Sequence, residues 1–128
     1  MNYKSCILTV IKNEHLYLDE WIKYHLDFGI DHLFIMEDID SDSHDEITNK
    51  YKDFVTVIKL KNFLNDNLYR IAQNIKEGRK RSSQQLYFRI GLTLIKQKYN
   101  YDWCFVIDND EFLTLEKGKS LNEVLSTY

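Results

Sequence analysis

WCFVIDNDEFL, residues 103–113, runs from five apolar residues straight into the carboxylates Asp108, Asp110 and Glu111. A short apolar run closed by Asp and Asn predicts a buried strand over 103–107 with a polar turn at its end. Upstream, Ser82 or Ser83 is placed to cap a helix with Leu86, Ile90, Leu94 and Ile95 on one face and Tyr87 and Gly91 beside it. CILTVI at 6–11, HLFIM at 32–36 and VTVIKL at 55–60 read as three further strands, the first β-branched and continuous as in a strand covered on both sides. Between the first two, Asn13 is placed to cap a helix that carries Leu18, Trp21, Ile22, His25 and Leu26 at spacings of three and four. Gly29 supplies its stop. LNEVLSTY closes the sequence as one short helix. The order strand, helix, strand, turn, strand, helix, strand predicts an α/β fold with a mainly parallel sheet flanked by helices.

That order also says where function belongs, because open parallel sheets bind ligands beyond the carboxyl ends of their strands. Three polar clusters follow strands: Lys12-Asn13-Glu14, the segment from Glu37 to Glu46, and Asp108 to Glu111. Parallel strands would gather all three on one edge.

Composition narrows the classes. The chain has 128 residues, 44% hydrophobic and 14% aromatic, which suits one folded domain over 1–128 and not a disordered segment. A net charge of −3 argues against a general nucleic-acid binder, whose affinity comes from neutralising phosphates. No apolar run approaches the roughly 18 residues of a membrane span, and the opening MNYKSCILTV lacks a signal-peptide pattern. Cys6 and Cys104 each sit in an apolar run and read as two buried thiols in a reducing, cytoplasmic setting. With no Pro and four Gly there is no flexible linker.

The carboxylates are the chemically informative residues. In an extended chain Asp108 and Asp110 would project to the same side and could approach one cation. Magnesium or manganese, which take a few protein oxygens and complete their shell with water and phosphate, would suit that pair. Two aspartates closing a strand as turn residues is the other reading. Glu37 to Glu46 holds six carboxylates and no Lys or Arg, yet it is no EF-hand loop, since a loop begun at Asp38 has Ser43 and Asn49 where Gly and Glu are required. A phosphatase-like use of Asp108 as nucleophile is disfavoured because the motif closes the chain and is followed by Glu111-Phe112.

Three stretches in order resemble family 2-type glycosyltransferases, in particular a group with a D-x-D-E-F signature: VIKNEHLYLDEWIKYHLDFGIDHLFIM, EDIDSDSHDE, and QQLYFRIGLTLIKQKYNYDWCFVIDNDEFL. The resemblance spans roughly residues 6 to 113 and implies a Rossmann-like, GT-A-type nucleotide-sugar-binding half, with the acceptor-side half absent. It implies transfer of a sugar from a nucleotide diphosphate donor to the hydroxyl of a glycan or lipid-linked acceptor, with manganese or magnesium as cofactor. On the matching positions, Asn13 and Glu14 would lie near the base and ribose. Glu37 takes the place of the acidic residue that binds the base, where the family more often carries Asp. Asp42 matches the later Asp of that turn. Asp108 would approach ribose and metal, and Asp110 would be the principal metal ligand. Glu111 is the nearest carboxylate for a catalytic base. A non-catalytic nucleotide- and metal-binding module is the competing class.

The remaining candidates have plainer readings. Lys76, Arg79, Lys80 and Arg81 could cover a diphosphate but suit a solvated loop better. Arg89 reads as a surface arginine as readily as a nucleotide contact. His25 reads as a partly buried helix residue, and His15, His32 and His44 show no ligand spacing. Trp21, Trp103, Tyr99 and Tyr101 read as packing residues.

Overall fold

The computed structural model describes residues 4–63 and 80–128. Strands β1 (Ser5–Ile11), β2 (His32–Glu37), β3 (Val55–Lys59) and β4 (Trp103–Val106) form one sheet in the order β3-β2-β1-β4. Every pairing is parallel, with Ile7 opposite Leu33 and Phe105, and Leu33 opposite Val55. The predicted α/β class with a parallel sheet is what the chain forms, and its arrangement is Rossmann-like. Among the described residues no helix is long and apolar enough to cross a membrane.

Two helices cover the two faces. Helix α1 (Leu18–Phe28) sends Leu18, Trp21 and Ile22 onto Ile7, Ile11, Leu33, Ile35 and Val55. Short helices α2 (Asp45–Thr48) and α3 (Leu60–Phe63) flank β3, a 3₁₀ turn follows α2 at Asn49–Tyr51, and α4 (Lys80–Lys98) covers the opposite face. Its Tyr87 and Ile95 meet Cys6, Leu8, Phe34 and Met36. Odd-numbered residues of β1 and β2 thus face α1 and even-numbered ones α4, as the period of two requires. Helix α5 (Leu121–Leu125), capped by the Ser120 hydroxyl on Glu123 N–H at 3.2 Å, packs Leu121 and Leu125 on the α1 side.

Gly29 stops α1 as expected: it stands at φ 116°, and its own N–H and that of Ile30 reach back to Leu26 and His25 carbonyls. Two helix starts differ from the sequence reading. Helix α1 begins at Leu18 with no side-chain cap, so Asn13 is not its cap. Asn13 instead takes a left-handed φ of 51°, which Asn tolerates better than most residues, and uses its amide elsewhere. Helix α4, described from Lys80 onward, includes Ser82 and Ser83.

The buried stripe of α4 is also rotated from the predicted Leu86-Ile90-Leu94-Ile95 face. Tyr87, Gly91 and Ile95 are buried, while Leu86, Ile90 and Leu94 are half-buried flanks. Gly91 explains the rotation, because a Cβ there would stand 2.7 Å from Met36 Sδ and 2.8 Å from a Leu8 methyl. The helix lies on the sheet along its glycine. Gly91→Ala sets a helix-propensity gain of about 1 kcal/mol against an overpacking cost of about 1–3 kcal/mol. A net loss on the order of 1 kcal/mol is expected, read as a lower urea midpoint at unchanged m-value.

Candidate functional site

The strand order reverses at β1, since β2 and β3 lie to one side and β4 to the other. Such a reversal leaves a crevice between the loops that leave the two strands at the turning point. Here those loops are Lys12–His15 after β1 and Asp108–Glu111 after β4. The third polar cluster follows β2, the other neighbour of β1. The sheet therefore brings the three predicted clusters to one edge.

The first two clusters are laced together. Lys12 Nζ bonds Asp40 at 3.1 Å, Asn13 N–H donates to the Ser41 hydroxyl at 3.1 Å, and Asp42 N–H donates to Asn13 Oδ1 at 2.8 Å. Glu14 N–H donates to His44 Nε2 at 2.9 Å, and His15 Nε2 donates to the Ser43 carbonyl at 2.7 Å. Asp38 turns its carboxylate onto Ile39 N–H at 2.7 Å. These ties run along the acidic loop one residue after another, and two of them engage its carboxylates, Asp40 through Lys12 and Asp38 through Ile39 N–H.

Glu37 sits below that lacing. It is buried, one carboxylate oxygen accepts from His44 N–H at 2.7 Å and Nδ1 at 3.1 Å, and the other accepts from Lys59 Nζ at 2.9 Å. Lys59 stands opposite Glu37 in the β2–β3 register and also reaches Asp45 at 3.1 Å. Both oxygens of the carboxylate expected to meet a base are thus occupied by the chain itself.

The motif after β4 differs from the extended geometry expected of it. Glu111 N–H donates to the Asp108 carbonyl at 3.0 Å, and the Glu111 carboxylate accepts from Asp108 N–H at 2.8 Å. Asp108 and Asp110 are therefore the first and third residues of a tight turn, not alternate residues of a strand, because β4 ends at Val106. Glu111, the candidate base, uses a carboxylate oxygen to close that turn. Asp110 is exposed. Asn109, between the aspartates, is only 6% exposed, and its Oδ1 and Nδ2 have no hydrogen-bond partner. Leaving an amide buried and unpaired costs roughly 1–3 kcal/mol, which a ligand's hydroxyl would recover.

Helix α1 holds this turn in place. Trp21 Nε1–H donates to the Glu111 carbonyl at 2.8 Å, Tyr24 Oη–H donates to the Leu113 carbonyl, and Leu113 N–H donates to His25 Nε2 at 3.2 Å. Phe112 stacks on the His25 ring at 5.7 Å between centroids and meets Tyr24 edge-on at 5.0 Å. His25 Nδ1–H donates to the Trp21 carbonyl at 2.9 Å while Nε2 accepts the Leu113 N–H, so the ring is neutral, and burial pushes its pKa down. The sequence reads Trp21 as packing and His25 as a partly buried helix residue, and assigns Tyr24 no role. Their signal was an aromatic stripe at i, i+3 and i+4, which looks like core until the strand-end turn lies across it.

Among the described residues no cluster of three or more His, Cys, Asp or Glu could hold a metal ion. Asp108 and Asp110 are both exposed in the turn after β4, and their carboxylate oxygens are donors of the kind that hard cations such as magnesium and manganese take. A polar hollow of about 120 Å³ lies at the ends of β2 and β3, lined by Asp38, Ser41, Ser43 and Lys59. A larger one of about 400 Å³, between β3 and the end of α4, is lined mainly by Phe34, Val57, Ile58, Leu94 and Ile95 and holds no carboxylate. The cations Lys76 and Arg79 lie outside the described residues, Lys80 and Arg81 open α4, and Arg89 is exposed on that helix.

Comparison with known proteins adds an independent finding. The model of a family described as glycosyltransferase family 92 matches residues 2–128. A family 92 protein of Oryza sativa subsp. japonica is 25% identical over 126 residues, covering 98% of this chain and 19% of the relative. One of Ricinus communis is 24% identical over 123 residues, covering 96% of this chain and again 19% of the relative. The chain spans about a fifth of the length of these curated relatives. No solved structure matches it.

Proposed function

The chain belongs to glycosyltransferase family 92, and on that premise we propose that it is the donor-binding part of a sugar-transferring enzyme. The motif reading pointed to family 2-type enzymes; the two agree on the glycosyltransferase class, and the GT-A-type arrangement stays part of the proposal. The observation that carries the proposal is the adjacency of the β1 loop and the β4 turn at the reversal of strand order. In this reading a nucleotide diphosphate sugar lies across the crevice. The laced loop of Asn13 and Glu14 flanks the nucleoside, and the Asp108–Glu111 turn faces the diphosphate. Asn109 offers its unpaired amide to a donor hydroxyl.

A manganese or magnesium ion held by Asp110 and Asp108 would neutralise charge on the departing diphosphate. The chain's own residues supply positioning. Glu111 closes the turn, Trp21 and His25 pin it to α1, and Glu37 braces the loops from below, which leaves Asp38 as the acidic residue beside the base. The acceptor in this reading is a glycan or lipid-linked hydroxyl.

Calorimetric titration with uridine and guanosine diphosphates and their sugar conjugates, with and without manganese, tests the reading. Binding that needs the metal is expected, and no binding under any condition would overturn it. Sugar transfer or donor hydrolysis on the same sample then separates an enzyme from a module that only binds.

A further inference from the structure

His44 is wholly buried, and its two ring nitrogens face opposite demands. Nε2 receives the Glu14 N–H, which only an unprotonated nitrogen can do, so the proton sits on Nδ1 and points at Glu37. The ring is therefore neutral, in the Nδ1–H tautomer. Burial favours that state, and the charges around it pull both ways. From β2, Glu37 is already neutralised by Lys59 of β3, which also holds Asp45 at the start of α2. From the β1 loop, His15 stacks on the ring with centroids 4.0 Å apart, and Glu14 adds a distant carboxylate. Burial and the neighbouring His15 push the His44 pKa down against the opposing pull of Glu37 and Glu14. A second ring proton would point at the Glu14 N–H and break that bond.

We propose that His44 is a positioning residue that holds the Asn13–Glu14 turn in place, and that its protonation releases the turn and with it the nucleotide. The second half rests on the function proposed above, and the first half does not. His44 touches no nucleotide in this account and acts through the backbone of Glu14. The sign follows from the depressed pKa. The contact persists through the ordinary imidazole value near 6.5 and is lost only as pH falls further, through the lowered His44 pKa. His25 and His32 are also depressed by burial, but their bonds go to Trp21, Leu113 and Thr56, away from this turn.

Nitrogen-15 spectra of the histidine rings and of the Glu14 amide, followed from about pH 8 to about pH 5, test the first half. The expected result is an Nδ1–H tautomer at neutral pH, with the Glu14 amide moving along the same titration curve as His44. An Nε2–H tautomer, or a Glu14 amide indifferent to His44, would overturn the proposal. For the second half, the affinity with manganese for a uridine diphosphate sugar, whose esterified phosphates do not titrate in this range, should fall about tenfold per pH unit below the His44 midpoint. His44→Gln keeps a side-chain acceptor for Glu14 but cannot titrate, so its profile should be flat over that range, whereas identical profiles in both proteins would overturn the gating. If the nucleotide binds at no pH while Glu14 still follows His44, the proposed function fails and the acid-released turn stands.

Discussion

Asp110→Ala is expected to abolish the metal dependence of nucleotide binding and to weaken binding itself on the order of a hundredfold. Losing a direct carboxylate ligand should cost at least as much as losing the outer-shell partners of a metal site, which cost about 10–100-fold. Asp110 is exposed at the third position of the turn, and the bonds that close the turn belong to Asp108 and Glu111. Folding should therefore be unaffected, within about 0.5 kcal/mol as for most surface changes. Calorimetry with and without manganese reads the first effect and thermal unfolding the second. Unchanged affinity with unchanged metal response would show that the ion, if one binds, is held elsewhere. Asp110→Asn separates charge from shape: a cation site should lose nearly as much with Asn as with Ala.

The second large effect is at Trp21. Its side chain is fully buried in the layer between α1 and the sheet, and its N–H holds the Glu111 carbonyl. Trp21→Ala should cost about 3–5 kcal/mol, most of it from the cavity. A domain stable by about 5–15 kcal/mol would keep little margin after that loss. Trp21→Phe keeps much of the apolar volume and removes the hydrogen bond. A stability loss of about 1–2 kcal/mol is expected, since one bond is lost and the Glu111 carbonyl loses its donor. Nucleotide affinity should fall as well, because the turn keeps only its Tyr24 and His25 anchors. Denaturant unfolding and nucleotide titration on the Phe variant check this together. A Phe variant that loses stability but binds nucleotide normally would show that α1 holds the motif for the fold alone.

Much of the architecture was legible because each element carried its own local signal. CILTVI and WCFVI are short apolar runs without helical spacing, and Gly29 offers the positive φ that ends α1. The start of α1 was misplaced because Asn13 bonds the acidic loop instead of capping, and the Ser82–Ser83 pair lies within the span of α4. The stripe of α4 was misjudged because a glycine contributes nothing to a hydrophobic pattern, yet its missing Cβ decides which way the helix turns to the sheet.

The site was legible only in outline. Asp108 and Asp110 announce themselves by spacing, but an extended chain and a tight turn place them differently, and the choice was made by the Glu111 carboxylate on Asp108 N–H. Glu37 looked like a ligand residue because it ends a strand in an acidic stretch. Its commitment to His44 and Lys59 depends on a register between β2 and β3 that no linear pattern records.

The sequence by itself determined the strands, the helix stop at Gly29 and the gathering of polar loops at one sheet edge, because these follow from period, chain direction and local backbone preference. Only the tertiary structure decided which carboxylates stay turned outward and which are consumed in holding the loops. That depends on contacts such as Trp21 with Glu111, 90 residues apart, and Glu14 with His44, 30 apart. A hydrogen bond has a direction and a length but leaves no period in the sequence, so its partner is known only once the chain has folded.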